Sequence, residues 1–296
     1  MCNLPLISVV VPNFNQAGFL TEALDSIFSQ KDAFAEVIVI DGGSTDGSVD
    51  VIRRFQDRLA FWCSEPDQGH YDAVNKGMAQ AHGEILGFLN SDDKLFPGSL
   101  RILREVFATH SEVEWVTSLV PISCDASGIC CTVNHIPGYS AQAFLDGQFG
   151  GQPGAPWFIQ QESTFWRRRL WDKVGGRIRS EISHAGDFDL WGRFFEQSQL
   201  YGIGVPLAGF RIRNGQRSAE GSSYPDQCRE LLKEFRRRAS WSRSRLRDTT
   251  IRLGLFRVPK LGGALRRTIG FRGKRIFLQN PGREDARWET QDYLFP

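Results

Sequence analysis

The sequence has no run approaching the roughly 20 apolar residues that a membrane-crossing helix requires, so no transmembrane helix is expected. Its first residues lack a basic segment followed by an apolar one, so no secretory signal is expected either. The cysteines Cys2, Cys63, Cys124, Cys130, Cys131 and Cys228 show no C-x-x-C spacing. That argues against a zinc site or a disulfide framework, and for reduced thiols in a cytoplasm. No G-x-G-x-x-G follows the first apolar run and no G-x-x-x-x-G-K-[ST] occurs, which sets aside a dinucleotide cofactor and a P-loop triphosphatase. Internal repeats, low-complexity tracts and recognised nucleic-acid modules are also missing, so nucleic acid is not an expected partner.

What is present is a series of short apolar runs that each end in polar or acidic residues. Residues 7–11 run into Pro12-Asn13-Phe14-Asn15, and Leu20, Leu24, Ile27 and Phe28 then recur at helical spacing. Residues 37–40 run into Asp41-Gly42-Gly43-Ser44-Thr45-Asp46-Gly47-Ser48, where Asp46 or Ser48 is placed to cap a following helix. Residues 85–89 run into Asn90-Ser91-Asp92-Asp93. Continuous apolar runs of this length suit strands buried on both faces of a parallel sheet, and ligands of open α/β sheets bind beyond the strands' carboxyl ends. Adjacent acids there repel one another unless a cation compensates, and Mg²⁺ or Mn²⁺ with a phosphate-bearing substrate would do so.

At 296 residues, 41% hydrophobic and 24% charged, the chain can bury the core of one large α/β domain. Its near-neutral balance hides a division. Residues 1–228 carry 18 Lys/Arg against 27 Asp/Glu, whereas 229–275 carry 16 against 3. Leu231, Phe235, Trp241, Leu246 and Leu253 lie among those arginines, a composition that suits an anionic membrane surface. A solvated helical tail or an oligomer contact is the plainer reading of the same segment.

Taken together, 9–15, 39–48, 64–69, Ala73-Val74-Asn75-Lys76-Gly77, 83–93 and Ala185-Gly186-Asp187-Phe188-Asp189-Leu190-Trp191 resemble, in order and spacing, an inverting family 2 glycosyltransferase. The resemblance covers roughly residues 6–218. It implies an α/β, GT-A type, Rossmann-like sandwich with a central mostly parallel sheet. Residues 1–115 would bind nucleotide-sugar, 116–225 the acceptor, and 226–296 would form a basic helical C-terminal tail. It further implies a nucleotide-diphosphate sugar as donor, a glycan or lipid-linked acceptor in cell-surface polysaccharide synthesis, and a divalent metal (Mn or Mg) as cofactor.

The same resemblance assigns residues. Asp41 would recognise the base, and Asp67 the base and ribose. Pro12, Asn13, Asn15, Gly43 and Lys76 would complete the donor side. Asn90-Ser91-Asp92 stands at the D-x-D position, with metal on Asp92 and Asp93. Asp187 would be the catalytic base, where Gly186 replaces a frequent Glu. Arg213 stands where a His is common; it cannot ligate a metal but can bind diphosphate oxygens. Gln161, Glu162 and Trp191 would face the acceptor, and the Gly/Pro-rich stretch 147–156 would order over the donor. A nucleotidyltransferase is disfavoured because Pro12-Asn13-Phe14-Asn15 supplies neither the Gly-rich loop nor its basic residue. A non-catalytic nucleotide-sugar or glycan-binding protein derived from such an enzyme is the alternative that Asn90 and Arg213 keep open.

Overall fold

The computed structural model describes residues 4–30, 35–150, 155–216, 223–242 and 244–296. Its first part alternates strand and helix: β1 (Ile7–Asn13), α1 (Ala17–Phe28), β2 (Ala35–Asp41), α2 (Ser48–Phe55), β3 (Phe61–Ser64), α3 (His70–Gln80) and β4 (Ile85–Phe88). There follow β5 (Lys94–Leu95), α4 (Ser99–Thr109), β6 (Trp115–Ser118), β7 (Ile122–Cys124), β8 (Cys130–Val133) and α5 (Ala141–Leu145). The third part holds β9 (Phe165–Arg167), α6 (Arg168–Lys173), α7 (Gly186–Phe195), β10 (Tyr201–Ile203) and β11 (Ala208–Arg211). The chain then forms α8 (Tyr224–Arg238), α9 (Arg245–Arg252), α10 (Leu261–Ile269), β12 (Phe271–Gln279) and β13 (Arg287–Phe295).

A nine-stranded sheet runs in the order β13-β12-β10-β6-β9-β4-β1-β2-β3, and a four-stranded sheet in the order β5-β11-β7-β8. In the large sheet only β9 and β13 run against their neighbours. The strand period explains the two cores. Val9 and Val11 face α1 through Leu20 and Leu24, while Val10, Ile38 and Ile40 face α3 through Val74 and Met78. Each buried Val or Ile of these strands contributes roughly 1.5–3 kcal/mol relative to exposure. Helix α3 lies close because Gly77 has no side chain; a Cβ there would stand 2.3 Å from Val10 Cγ1. The α/β, GT-A expectation of a mostly parallel central sheet therefore holds.

Of the basic helical tail expected over 226–296, α8, α9 and α10 are helices, whereas β12 and β13 join the large sheet. Helix α8 buries Cys228, Leu231, Leu232 and Phe235 against the core. Strand β12 pairs in parallel with β10, and β13 pairs with β12 along its whole length. Along β12, Phe271, Gly273 and Arg275 share one face and Arg272, Lys274 and Ile276 the other, so each face buries an apolar residue and also exposes an arginine. Charge density made this hairpin read as helix surface.

Candidate functional site

Three strands deliver the site at their carboxyl ends. The turns after β1, β2 and β4 open onto a cavity of about 1010 Å³. Pro12, Asn13, Asp67, Asn90, Ser91 and Asp92 line its one side. Gln161, Glu162, Asp187 and Arg213 also line it, so residues far apart in sequence converge on one space. Asp67 approaches because of Gly42, where a Cβ would lie 2.7 Å from Asp67 Oδ2.

Other expected donor residues sit behind this surface. Asp41 is buried; its carboxylate accepts from Asn13 Nδ2 at 2.6 Å, Ser64 Oγ at 2.6 Å and Ser44 N at 2.9 Å. Burial opposes ionisation, but the bonds from Ser44, Ser64 and Asn13 outweigh it and hold the carboxyl below the usual range. Gly43 donates to Asp41 Oδ2 at 3.2 Å from a left-handed conformation, φ +82°. Asn15 braces the same loop, accepting from Thr45 N at 2.9 Å. These residues shape the turn rather than face the cavity. Asp46 ties helices together in place of a simple cap, accepting from Ser48 N at 3.0 Å and Ala17 N at 2.8 Å.

Three expectations are corrected by position. Lys76 lies off the cavity, paired with Glu65 at 3.2 Å and Asp72 at 3.5 Å. Trp191 is in the core, stacked on Trp115 at 5.7 Å, because its face of α7 points away from the cavity. Asp93 turns inward: Oδ1 accepts from Arg211 N at 2.7 Å and Oδ2 from Asn90 Nδ2 at 2.9 Å. Burial first, and the negative Asp92 beside it second, push the Asp93 carboxyl up to about 8. Glu162 is likewise pushed well above the usual range, by burial and then by Asp93. The loop expected over 147–156 has residues 151–154 outside the described residues, as are Arg217 and Ser218 of the Arg213 segment.

Asp187 stands in the first turn of α7, half-buried at the cavity wall. Tyr71 Oη lies 3.3 Å from Asp187 Oδ1 and donates to the His184 carbonyl at 2.6 Å. Tyr224 Oη lies 3.5 Å from Oδ2. Burial, with Asp187 adding its charge, raises the Tyr224 phenol far above its ordinary range, so it remains a donor. Gly186 now has a reason: a Cβ there would stand 2.7 Å from the Tyr71 ring and 2.8 Å from Ile178. The departure from Glu makes room for the tyrosine.

Sequence reasoning missed Arg211 and His184. Arg211 is buried and donates from Nε to the Asp92 carbonyl and from Nη1 to the Ala126 carbonyl at 2.9 Å. Its alternation with Arg213 along one chain segment was the available signal, since both guanidiniums stack over Phe19, at 5.1 and 5.3 Å. His184 lines the cavity, with Nδ1 2.9 Å from Ser223 Oγ; its place three residues before Asp187 was the only hint.

The donor set can be tested against a divalent ion. Mg²⁺ and Mn²⁺ take several hard oxygen ligands in a near-octahedral shell. Here Asp92 Oδ2 is held by Arg213 Nε at 2.8 Å, Asp93 is turned inward, and Asn90 replaces an acid. Among the described residues no group of three or more His, Cys, Asp or Glu could hold a metal ion. One carboxylate already neutralised by a guanidinium does not fit a resident metal.

Strand-end loops that open on one cavity and a mostly parallel central sheet are the features of a GT-A fold. Residues 8–128 match the family model described as glycosyl transferase family 2. An uncharacterised glycosyltransferase of Mycobacterium tuberculosis is 41% identical over 60% of this chain and 64% of its own length. S. aureus TarS, crystallised with UDP-GlcNAc, aligns at TM-score 0.57 and 17% identity, over 81% of this chain and 74% of that one. A mannosyltransferase from Pyrobaculum calidifontis, in complex with GDP-Man and Mn²⁺, aligns at TM-score 0.52 and 16% identity, over 88% of this chain and 83% of that one. The chain spans between 34% and 64% of the length of the curated relatives it matches first.

Proposed function

We propose that the protein transfers a sugar from a nucleotide-diphosphate sugar to a hydroxyl of a glycan or lipid-linked acceptor, with inversion, in cell-surface polysaccharide synthesis. One observation carries the reading. A single cavity brings strand-end groups suited to a nucleotide against Asp187, and three buried polar atoms of its lining lack a partner among the described residues: Asn13 Oδ1, Asn90 Oδ1 and Glu162 Oε1. Buried polar atoms without partners in native proteins call for an explanation, and a polar ligand supplies one. The family match and the sugar nucleotides bound by the two structural neighbours support the same donor class.

The residues divide the work. Asn13, Asp67, Asn90 and Ser91 hold the nucleotide within the strand-end loops. Arg213 faces the diphosphate. Gln161 and Glu162 meet sugar or acceptor hydroxyls, Glu162 as a neutral carboxyl able to donate its proton. Asp187 accepts the proton of the acceptor hydroxyl as general base. The acceptor oxygen then bonds to the anomeric carbon, and the carbon–oxygen bond to phosphate breaks with its electron pair leaving on the nucleoside diphosphate. Guanidinium hydrogen bonds stabilise the charge that develops there.

Turnover is testable before the acceptor is known, because water can replace it. Incubation with a panel of nucleotide sugars is expected to release nucleoside diphosphate from one of them, with the free sugar first formed as the inverted anomer by NMR. Tight binding of a nucleotide sugar with no release would favour the binding-protein alternative instead.

We also propose that the protein rests on an anionic membrane surface. No helix among the described residues is long and apolar enough to cross a membrane. Leu246, Leu253, Val258 and Leu261 are nevertheless exposed around α9 and α10, among exposed Arg245, Arg252, Lys260 and Arg267. Deleting 229–296 cannot test this, since it removes α8 from the core and a strand pair from the sheet. The variant Arg252→Gln/Arg267→Gln leaves those elements in place. At ~1 kcal/mol per basic residue, it is expected to weaken binding to phosphatidylglycerol vesicles about tenfold or more in co-sedimentation. Unchanged sedimentation would dismiss the membrane role.

A further inference from the structure

We infer that Arg213 takes the place of a divalent cation in this chain, so that the donor's diphosphate is bound without metal. The inference rests on the nucleotide-sugar reading above and specifies how that site neutralises its ligand. Three features of the cavity lead to it.

The first is charge. A dication at a diphosphate site is held by one or two protein carboxylates together with the phosphates, and here both carboxylates of the loop are already engaged. Asp92 already holds Arg213 at 2.8 Å, with both side chains largely shielded, at 18% and 14% exposure. Asp93 spends both oxygens on Arg211 N and Asn90 Nδ2. Asn90 is neutral, and its amide nitrogen is committed to Asp93. A dication would have to displace a guanidinium from the only carboxylate of this loop that faces the cavity.

The second is construction. Arg213 is held from below by the Phe19 ring, 5.3 Å away, and that ring also carries Arg211 at 5.1 Å. Arg211 is locked in turn by the Asp92 and Ala126 carbonyls and by Glu22. Lys94, at 2.9 Å, pairs with the same Glu22. The cation is thus built on a platform spanning α1, β5 and β11, and does not hang from a free loop. A platform of this kind keeps a positive charge in place before any ligand arrives, which is what electrostatic preorganisation requires.

The third is chemistry. A guanidinium stays charged across the physiological range and offers parallel donors matched to two phosphate oxygens. When a diphosphate enters, Arg213 can exchange the Asp92 carboxylate for phosphate oxygens. Asp92 is then released to accept a hydrogen bond from a ligand hydroxyl. The ion pair serves as the resting state of the donor site.

Calorimetry on the full chain, using UDP, GDP, ADP and CDP in EDTA and again in Mn²⁺, tests this. One nucleotide is expected to bind in EDTA within about threefold of its affinity in Mn²⁺, and Arg213→Ala to weaken the EDTA binding about tenfold or more. Arg213→Lys, which keeps a cation, is expected to retain part of the affinity and so separates lost charge from a disturbed loop. Wild-type binding that falls tenfold or more in EDTA would overturn the inference while leaving the nucleotide-sugar reading intact. EDTA binding that Arg213→Ala leaves unchanged would do the same. Failure of every nucleotide in both buffers would instead overturn the nucleotide-sugar reading, and this inference with it.

Discussion

Asp187→Asn is expected to lower transfer about 100-fold or more while leaving donor affinity unchanged. Asn has nearly the shape of the carboxylate and still accepts from Tyr224 through its one carbonyl oxygen. It cannot take a proton, so only the step that deprotonates the acceptor hydroxyl is lost. Position supports the split. Asp187 belongs to α7, while Asn13 comes from the end of β1 and Asp67, Asn90 and Ser91 from the segments that follow β3 and β4. Nucleotide release over time, set beside calorimetric donor affinity, checks it. Normal turnover in the mutant would rule Asp187 out as the base, and a parallel loss of donor binding would reassign it to the donor side.

Asp189, two residues on, is expected to show the opposite signature. Its carboxylate is completely buried and pairs with Arg179 and with Arg193 Nε, the latter at 3.0 Å. Arg193 continues to the Val174 and Arg177 carbonyls at 2.7 and 2.9 Å, which ties the segment before α7 to the helix. Removing one partner of a buried ion pair leaves uncompensated charge, so Asp189→Ala should cost about 3–5 kcal/mol of folding free energy. The expected result is a large fall in the urea midpoint with an unaltered slope. A loss below about 1 kcal/mol would mean that the two arginines find other partners, as exposed pairs do. Acids at i and i+2 of a helix fall on different faces, and here one serves the cavity and the other the core.

How much of this was legible in the sequence depends on how local the signal was. The runs at 7–11, 37–40 and 85–89 announced buried parallel strands, because such strands need no polar face. Asn13 and Asp92, at the ends of two of these runs, were legible for the same reason and do meet at one cavity; Asp67, which follows β3, was named only through the family resemblance. Inward or outward choice at neighbouring positions was not. Asp92 and Asp93 look equivalent in sequence, yet the turn sends one to the cavity and the other to Arg211. Trp191 was read as a sugar platform, but aromatic size says nothing about direction, and its helix face belongs to the core. Arg211 escaped notice because a buried cation is uncommon and its partners lie as far away in sequence as Glu22. The β12–β13 pair was hidden because Arg272 and Arg275 fall on opposite faces of the strand and leave no period-two pattern to read.

That terminal pair has a consequence for how the molecule is made. Strand β10 finds its outer neighbour in β12, some 70 residues later, and β12 is itself covered only when β13 follows. A chain emerging from the ribosome therefore carries the strand-end loops, the lining of the cavity and Asp187 before β12 and β13 have joined the large sheet. Until β12 pairs with it, β10 presents open backbone donors and acceptors, and β12 does so in turn until β13 forms, the kind of edge to which a second nascent copy can add. Charged residues on the outward side of the late strands, Lys274 and Asp292 paired at 2.7 Å among them, end that exposure as the final hydrogen bonds form.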